Sequence, residues 1–308
     1  MRAATHSKVP PRIGSLQARE ALFGYLFILP AALGFLIFIA GPIVASLYFS
    51  LTDYKIISAP HWVGLTNYTR LLKDPIFWQS LKVTLVYAVL TLPLGLVMSL
   101  SLAVLMNQKI RGISFWRTVY YLPAVIAGAA VAVLWRWILN PEFGLVNVLL
   151  KYLGIKGPAW LQDSHWALPS LVMISLWAVG GSMVIYLSGL QGIPTELYEA
   201  AEMDGATSWR RFIHVTIPML SPVIFFNVVM GLIGAFQWFT EPFVMTRGGP
   251  SQSTLSYMLN LYNNAFQFFK MGYASAMAWV LFVLVLLLTL AVFRSSPMWV
   301  HYEAQRGR

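Results

Sequence analysis

The chain's 308 residues are 58% hydrophobic and only 10% charged, against roughly 25% charged in an ordinary soluble domain, which excludes a water-soluble globule as the main body. Its net charge of +10 comes from Lys and Arg that are scattered and mostly flank apolar runs, the pattern of membrane topology rather than of a nucleic-acid interface. With no cysteine, a disulfide framework, a thiol nucleophile and a thiolate metal site are all excluded.

Residues 1–21 hold Arg2, Lys8, Arg12 and Arg19 beside the single acid Glu20, and Pro10-Pro11 disfavours a helix, so they read as a cytoplasmic tail. Residues 22–50 carry no charge. They are longer than a signal-peptide core and lack a small-residue cleavage site, so they form a first transmembrane helix. An external loop with Tyr54, Trp62 and Tyr68 follows over 51–75. The second span covers 77–106, bent at Pro93 and Gly95, with Lys82 snorkelling at its outer end. The turn at 107–117, with Lys109, Arg111 and Arg117 and no acid, belongs to the cytoplasm.

The third span runs from Val119 to Leu139, where Arg136 between Trp135 and Trp137 anchors it at the interface. Pro and Gly punctuate the external loop 140–165 too often for a continuous helix. The fourth span is 166–190, the fifth 219–243 and the sixth 272–293, with an external loop over 244–271 and a cytoplasmic tail over 295–308. Lys and Arg are denser in the segments placed inside than in those placed outside, so six spans with both termini cytoplasmic satisfy the positive-inside bias. This is an all-α integral membrane protein with no soluble domain large enough to act alone.

Between the fourth and fifth spans lies Glu199-Ala200-Ala201-Glu202-Met203-Asp204-Gly205, closing at Pro218. Thr195 serves as a helix N-cap, Glu196 in the first turn suits the dipole, and Gly205 ends the helix. A second short helix begins at Thr207 or Ser208, giving a helix-turn-helix across the membrane face. Ala200 and Ala201 admit the backbone of a partner and Glu199 offers a charge to an arginine on it. On these residues alone, an amphipathic surface loop joining two spans is the favoured reading.

The spacing Glu199-Ala200-Ala201, Gly205, then Pro218 resembles the signature of binding-protein-dependent ABC importer permeases, with Val215 and Ile217 at its Ile and Leu positions. Arg111-Gly112 with Phe115 and Arg117 before Leu122-Pro123, Asn140-Pro141 with Gly144 and Asn147, and Leu190-Gln191 with Ile193-Pro194 are similar to its sugar-permease branch, the maltose-type and glycerol-phosphate-type subunits. So are Gly248-Gly249-Pro250 and Gly272-Tyr273-Ala274-Ser275-Ala276. The resemblance implies a type I ABC importer fold, with a permease core over 70–294 and a coupling helix within the loop 191–218. Glu199, Ala200, Ala201, Asp204, Gly205 and Pro218 would then engage a cytoplasmic ATPase. It further implies a second permease subunit in a heterodimer, two ATPase subunits that use ATP and Mg, and an extracytoplasmic solute-binding protein. No cofactor belongs to this chain. The setting is a bacterial or archaeal cytoplasmic membrane, and the cargo a di- or oligosaccharide.

As a helix, the fifth span places Asn227, Gly231, Gly234, Trp238 and Glu241 on one face. Amide groups beside an aromatic platform suit a sugar, so Asn227 and Trp238, with Gln237 beside them, are candidates for the substrate path. Trp177 and Ser182 of the fourth span, next to Gly180 and Gly181, would face the same cavity. Close helix packing and interface anchoring account for the same residues.

Other classes fit poorly. No Gly-Lys pair exists for a phosphate-binding loop, and the five histidines are too scattered for a metal site. A membrane enzyme acting on a lipid or polyprenyl substrate would have to use Glu196, Glu199, Glu202 and Asp204, whose spacing serves docking equally well.

Overall fold

The computed structural model describes residues 13–108 and 110–301, with side chains from residue 18 onward. The expectations for residues 1–12, Lys109 and residues 302–308 lie outside the described residues. Among the described residues, four helices are long and apolar enough to cross a membrane: Ala18–Ser50, Pro75–Met106, Ser208–Phe236 and Met271–Met298. Two bent pairs raise the number to six if each is one span: Ile113–Val125 with Gly128–Ile138, and Ala167–Trp177 with Gly180–Gln191.

Several expected boundaries shift. Helix begins at Ile13, inside the stretch read as tail, because the proline pair limits only what precedes it. The later part of the first span packs on the sixth span of its own chain, where Trp279 Nε1 donates to Ser46 Oγ at 3.1 Å. Its earlier part, including Phe27 and Phe38, is exposed. Asn67 fixes the turn that follows, donating from Nδ2 to the carbonyls of Ser50 and Thr52 at 2.9 Å each.

The second span is unbroken through Pro93. Asp74 caps it, accepting from the Ile76 N–H at 2.9 Å. The third span is an elbow rather than a rod: its halves meet at 98°, because Ile126 and Ala127 are extended and end the hydrogen-bond ladder begun at Ile113. The fourth bends by 43° just before Gly180. A Cβ at Gly180 would overlap the Tyr120 carbonyl and the Tyr121 backbone, so a glycine is what lets the third and fourth spans touch.

The two loops expected outside are more ordered than their punctuation suggested. Within 140–165 a helix forms over Leu145–Tyr152. Asn147 staples it, donating to the carbonyls of Pro141 and Pro158 at 3.0 and 3.1 Å and accepting from Trp160 Nε1 at 2.7 Å. Within 244–271 the helix Tyr257–Tyr262 continues as a wide turn over Asn263–Gln267 and is buried among the spans. Its polar groups are met internally: the Tyr257 N–H donates to Thr84 Oγ1 at 2.8 Å and Asn260 Nδ2 to Ser80 Oγ at 3.1 Å. Such pairing is what makes a polar segment tolerable at membrane depth.

Apolar packing separates into two clusters. One holds Phe77, Tyr87, Leu139, Trp238, Tyr257 and Met277. The other, toward the loop 191–218, holds Leu100, Met183, Tyr186, Leu190 and Leu220.

Candidate functional site: a mid-span cavity and an exposed loop

The loop between the fourth and fifth spans forms two short helical pieces. The first is Thr195–Met203. Its N-cap position is Pro194 with no side-chain cap, so Thr195 is the first helical residue rather than the cap. Proline supplies the preset φ that the entry needs. Glu196 does lie in the first turn. Asp204 ends the helix and Gly205 turns the chain at φ +74°, a left-handed conformation that favours glycine.

Thr207 then caps the next helix, its Oγ1 accepting from the Arg210 N–H at 3.4 Å. From Ser208 this helix runs without interruption into the fifth span, and Pro218 sits half-buried at its re-entry. Two contacts brace the pieces: Glu202 to Arg211 at 2.8 Å and the Tyr198 hydroxyl to Thr216 Oγ1 at 3.0 Å. Glu202 is thereby occupied within the chain. Glu199, Ala200, Asp204 and Gly205 are exposed, and Ala201 is half-buried. Met203 is 90% and Trp209 68% exposed, two apolar groups that the motif does not mark.

Between the second, fourth and fifth spans lies a cavity of about 520 Å3. Asn227 and Ser182 line it as expected, with Gly231 and Gly234 beside them. Trp177, Gln237 and Trp238 do not line it. The fifth helix stops at Phe236, so the periodicity that put Trp238 and Glu241 on the face of Asn227 has ended before reaching them. Gln237 is exposed, and Trp238 is buried against Tyr87 with ring centroids 3.6 Å and planes 2° apart. Trp177 instead meets Trp135 edge to face at 5.7 Å.

The lining that sequence reasoning missed comes from the second span, as Tyr87, Thr91 and Ser99, and from the fourth, as Ser175 and Tyr186. The signal was present: Tyr87, Thr91, Gly95 and Ser99 recur every fourth residue, a polar and small stripe along one helix face. The Tyr87 hydroxyl and Ser175 Oγ are 2.7 Å apart. Asn227 Nδ2 donates to the Val223 carbonyl at 2.9 Å, and the buried Tyr186 hydroxyl has no partner among the described residues. None of the lining side chains is charged. The cavity therefore offers hydroxyls, an amide and aromatic edges in a neutral, mostly apolar wall, and among the described residues no three His, Asp or Glu groups gather as a metal ion would require.

The model of the binding-protein-dependent transport system inner membrane component matches residues 84–297. The chain belongs to this family. It is 45% identical over 292 residues to the probable ABC transporter permease protein YesP of Bacillus subtilis (strain 168), covering 93% of this chain and 94% of that one. It is 36% identical over 289 residues to the lactose transport system permease protein LacF of Rhizobium radiobacter, covering 92% and 96%. Among solved structures it superposes on a chain of a bacterial alginate ABC transporter in complex with alginate pentasaccharide-bound periplasmic protein. The TM-score is 0.82 at 25% identity, with 93% of this chain and 97% of that one covered. The protein is thus a membrane-spanning transport subunit with the helical ABC importer permease fold, and the membrane-enzyme reading falls away.

Proposed function

We propose that this permease conducts a di- or oligosaccharide inward, holding it in the mid-span cavity while an ATPase acts on the loop 194–218. The observation that carries the reading is the neutral cavity lined by Tyr87, Ser182, Tyr186 and Asn227. Sugars present apolar C–H faces and a hydroxyl rim, which match aromatic walls and uncharged hydrogen-bonding groups. Relatives named for lactose, for trehalose and maltose, and for starch degradation products support the same class of cargo.

The loop is read as the coupling element because Glu199, Ala200, Asp204 and Gly205 are exposed on a short piece that Glu202 and Tyr198 brace to the helix running from Ser208 into the fifth span. A push on Thr195–Met203 would pass through the contacts of Glu202 with Arg211 and Tyr198 with Thr216 to the continuous helix that carries Asn227 in the cavity wall. The assembly implied is a heterodimer with a second permease chain, two cytoplasmic ATPase subunits that use ATP and Mg, and an extracytoplasmic solute-binding protein meeting the loops near 140–165 and 244–271. Both termini are placed in the cytoplasm of a bacterial or archaeal cell.

The test is mild extraction of the C-terminally tagged chain from its native membrane and mass spectrometry of what co-purifies. The isolated complex, with its binding protein, is then reconstituted for uptake of labelled di- and oligosaccharides. Recovery of an ATPase and a second permease with ATP-dependent sugar uptake is expected. A chain recovered alone, or a complex that moves no saccharide, would sink the proposal.

A further inference from the structure

A second cavity, of about 410 Å3, is lined by Arg136 at the end of the third span, by Asn140 and Gln162 of the loop that follows, and by Thr246, Gly249 and Pro250 of the turn after the fifth span. The fourth span crosses between that loop and the loop 191–218, so this cavity is on the membrane face away from the coupling loop. Its size is that of a small-molecule site.

An arginine between two tryptophans is expected to rest among lipid headgroups, but the structure separates the three side chains. Trp135 packs edge to face on Trp177, Trp137 is exposed, and Arg136 is turned to the cavity. Arg136 takes part in none of the three ion pairs found among the described residues. No carboxylate lines the cavity. Glu142 and Asp163, the acids nearest in sequence to its lining, are outside it, and Asp163 accepts from the His165 N–H at 2.8 Å.

The amides add donors to this charge. Asn140 Oδ1 is taken by the N–H groups of Glu142 and Phe143 at 2.9 and 3.2 Å, which leaves its Nδ2 to donate. Gln162 is exposed at the same wall. A guanidinium stays charged at any physiological pH and presents a planar fork that matches a carboxylate. One such group balances the single charge of a carboxylate, whereas a phosphate ester brings about two. The mid-span cavity has no charged side chain in its wall, so any selection by charge falls to Arg136.

We propose that this cavity is an entry subsite for an acidic saccharide, with Arg136 holding a uronate carboxylate and Asn140 and Gln162 donating to the same group or to neighbouring hydroxyls. This rests on the reading of the chain as a saccharide permease and narrows its cargo. In that reading the solute-binding protein meets the two loops that form the cavity, which places the subsite where the sugar is handed over.

The complete transporter, extracted from its native membrane into nanodiscs of zwitterionic lipid, is tested without its binding protein against a uronic acid disaccharide and the methyl ester of the same sugar, by saturation-transfer NMR. Transfer to the acid should exceed transfer to the ester by roughly fivefold, the scale of a charge-assisted contact discounted for the exposure of Arg136. Arg136→Gln should abolish the preference. Arg136→Lys, which keeps the charge without the fork, should retain part of it, and it carries the comparison if the glutamine variant does not assemble. Equal transfer to acid and ester in the wild type, or a preference that survives Arg136→Gln, would overturn the proposal. So would a loss of binding-protein affinity in Arg136→Gln with no saccharide preference, which would make the cavity a docking surface. ATP-dependent uptake with the binding protein restored shows how far a failure extends. Uptake of neutral saccharides without preference for the acid removes this subsite alone, and uptake of no saccharide removes the permease reading with it.

Discussion

The hydroxyl of Tyr257 donates to the backbone carbonyl of Met277 at 2.8 Å, while its own N–H donates to Thr84 Oγ1 at the same distance. One residue thus joins the buried helix between the fifth and sixth spans to both the second and the sixth. Tyr257→Phe should lower stability by about 1 kcal/mol, the net worth of a hydrogen bond. Thr84→Val, which strands a buried N–H, should cost about 1–3 kcal/mol. Thermal unfolding in detergent should rank Thr84→Val below Tyr257→Phe; the reverse order would mean that the helix is held mainly by its aromatic packing.

Gly180 and Gly234 should respond differently to the same methyl group. A Cβ at Gly180 meets the backbone of Tyr120 and Tyr121, whereas one at Gly234 meets nothing within 4 Å. Gly180→Ala should destabilise by about 1–3 kcal/mol as an overpacked contact, and Gly234→Ala should be close to neutral. Size-exclusion recovery after mild heating separates the two.

For the cavity, Asn227→Ala and Ser182→Ala should each weaken saccharide uptake by roughly fivefold at low substrate, the equivalent of about one hydrogen bond. ATPase activity without the binding protein should stay as in the unmodified complex. Unaltered uptake in both variants would remove these side chains from the path.

At the loop, Glu199→Ala should reduce coupled uptake by roughly tenfold, the loss of one charge-assisted contact. Glu202→Ala should do much less, because Glu202 is exposed and already paired within the chain to the half-buried Arg211, and pairs at the surface contribute little. The comparison is made on reconstituted complexes with ATPase association measured alongside, and equal losses would show that the intrachain brace matters as much as docking.

The loop 140–165 has a pH signature. The backbone N–H of His165 donates to Asp163 Oδ1 at 2.8 Å and, ahead of the imidazole 3.3 Å away, holds that carboxyl below its ordinary value of 3.8. A depressed carboxyl supports the fold above its unfolded pKa and loses that support as pH falls through the folded one. The difference in thermal stability between the wild type and Asp163→Asn should therefore be constant from neutral pH down to about 5 and shrink in stronger acid. A difference that instead changed near neutrality would refute the assignment to Asp163.

Hydropathy sufficed to find the apolar segments, because roughly 18 or more apolar residues in a row leave few alternatives. Punctuation at Pro194, Gly205 and Thr207 placed the loop helices to within a residue. Hydropathy did not show the breaks at Ile126 and Ala178, since an apolar run reads the same whether straight or bent. Nor did it show the helix at Tyr257–Tyr262, which is short and carries Asn260, and whose burial depends on Thr84 and Ser80 from far along the chain. The cavity was half legible: Asn227 and Ser182 stood out as polar groups in apolar spans, while Tyr87 and Tyr186 resembled packing residues until their neighbours were known.

The elbow in the third span bears on how the protein is made. Its halves, Ile113–Val125 and Gly128–Ile138, are about 20 and 17 Å long at 1.5 Å per residue, so neither crosses the roughly 30 Å of hydrocarbon alone. During biosynthesis the segment leaves the ribosome before Gly180 exists to receive Tyr120 and Tyr121. The contact that packs these two spans together can therefore form only after the fourth span has been delivered, and a chain halted before Gly180 would lack the surface that receives Tyr120 and Tyr121.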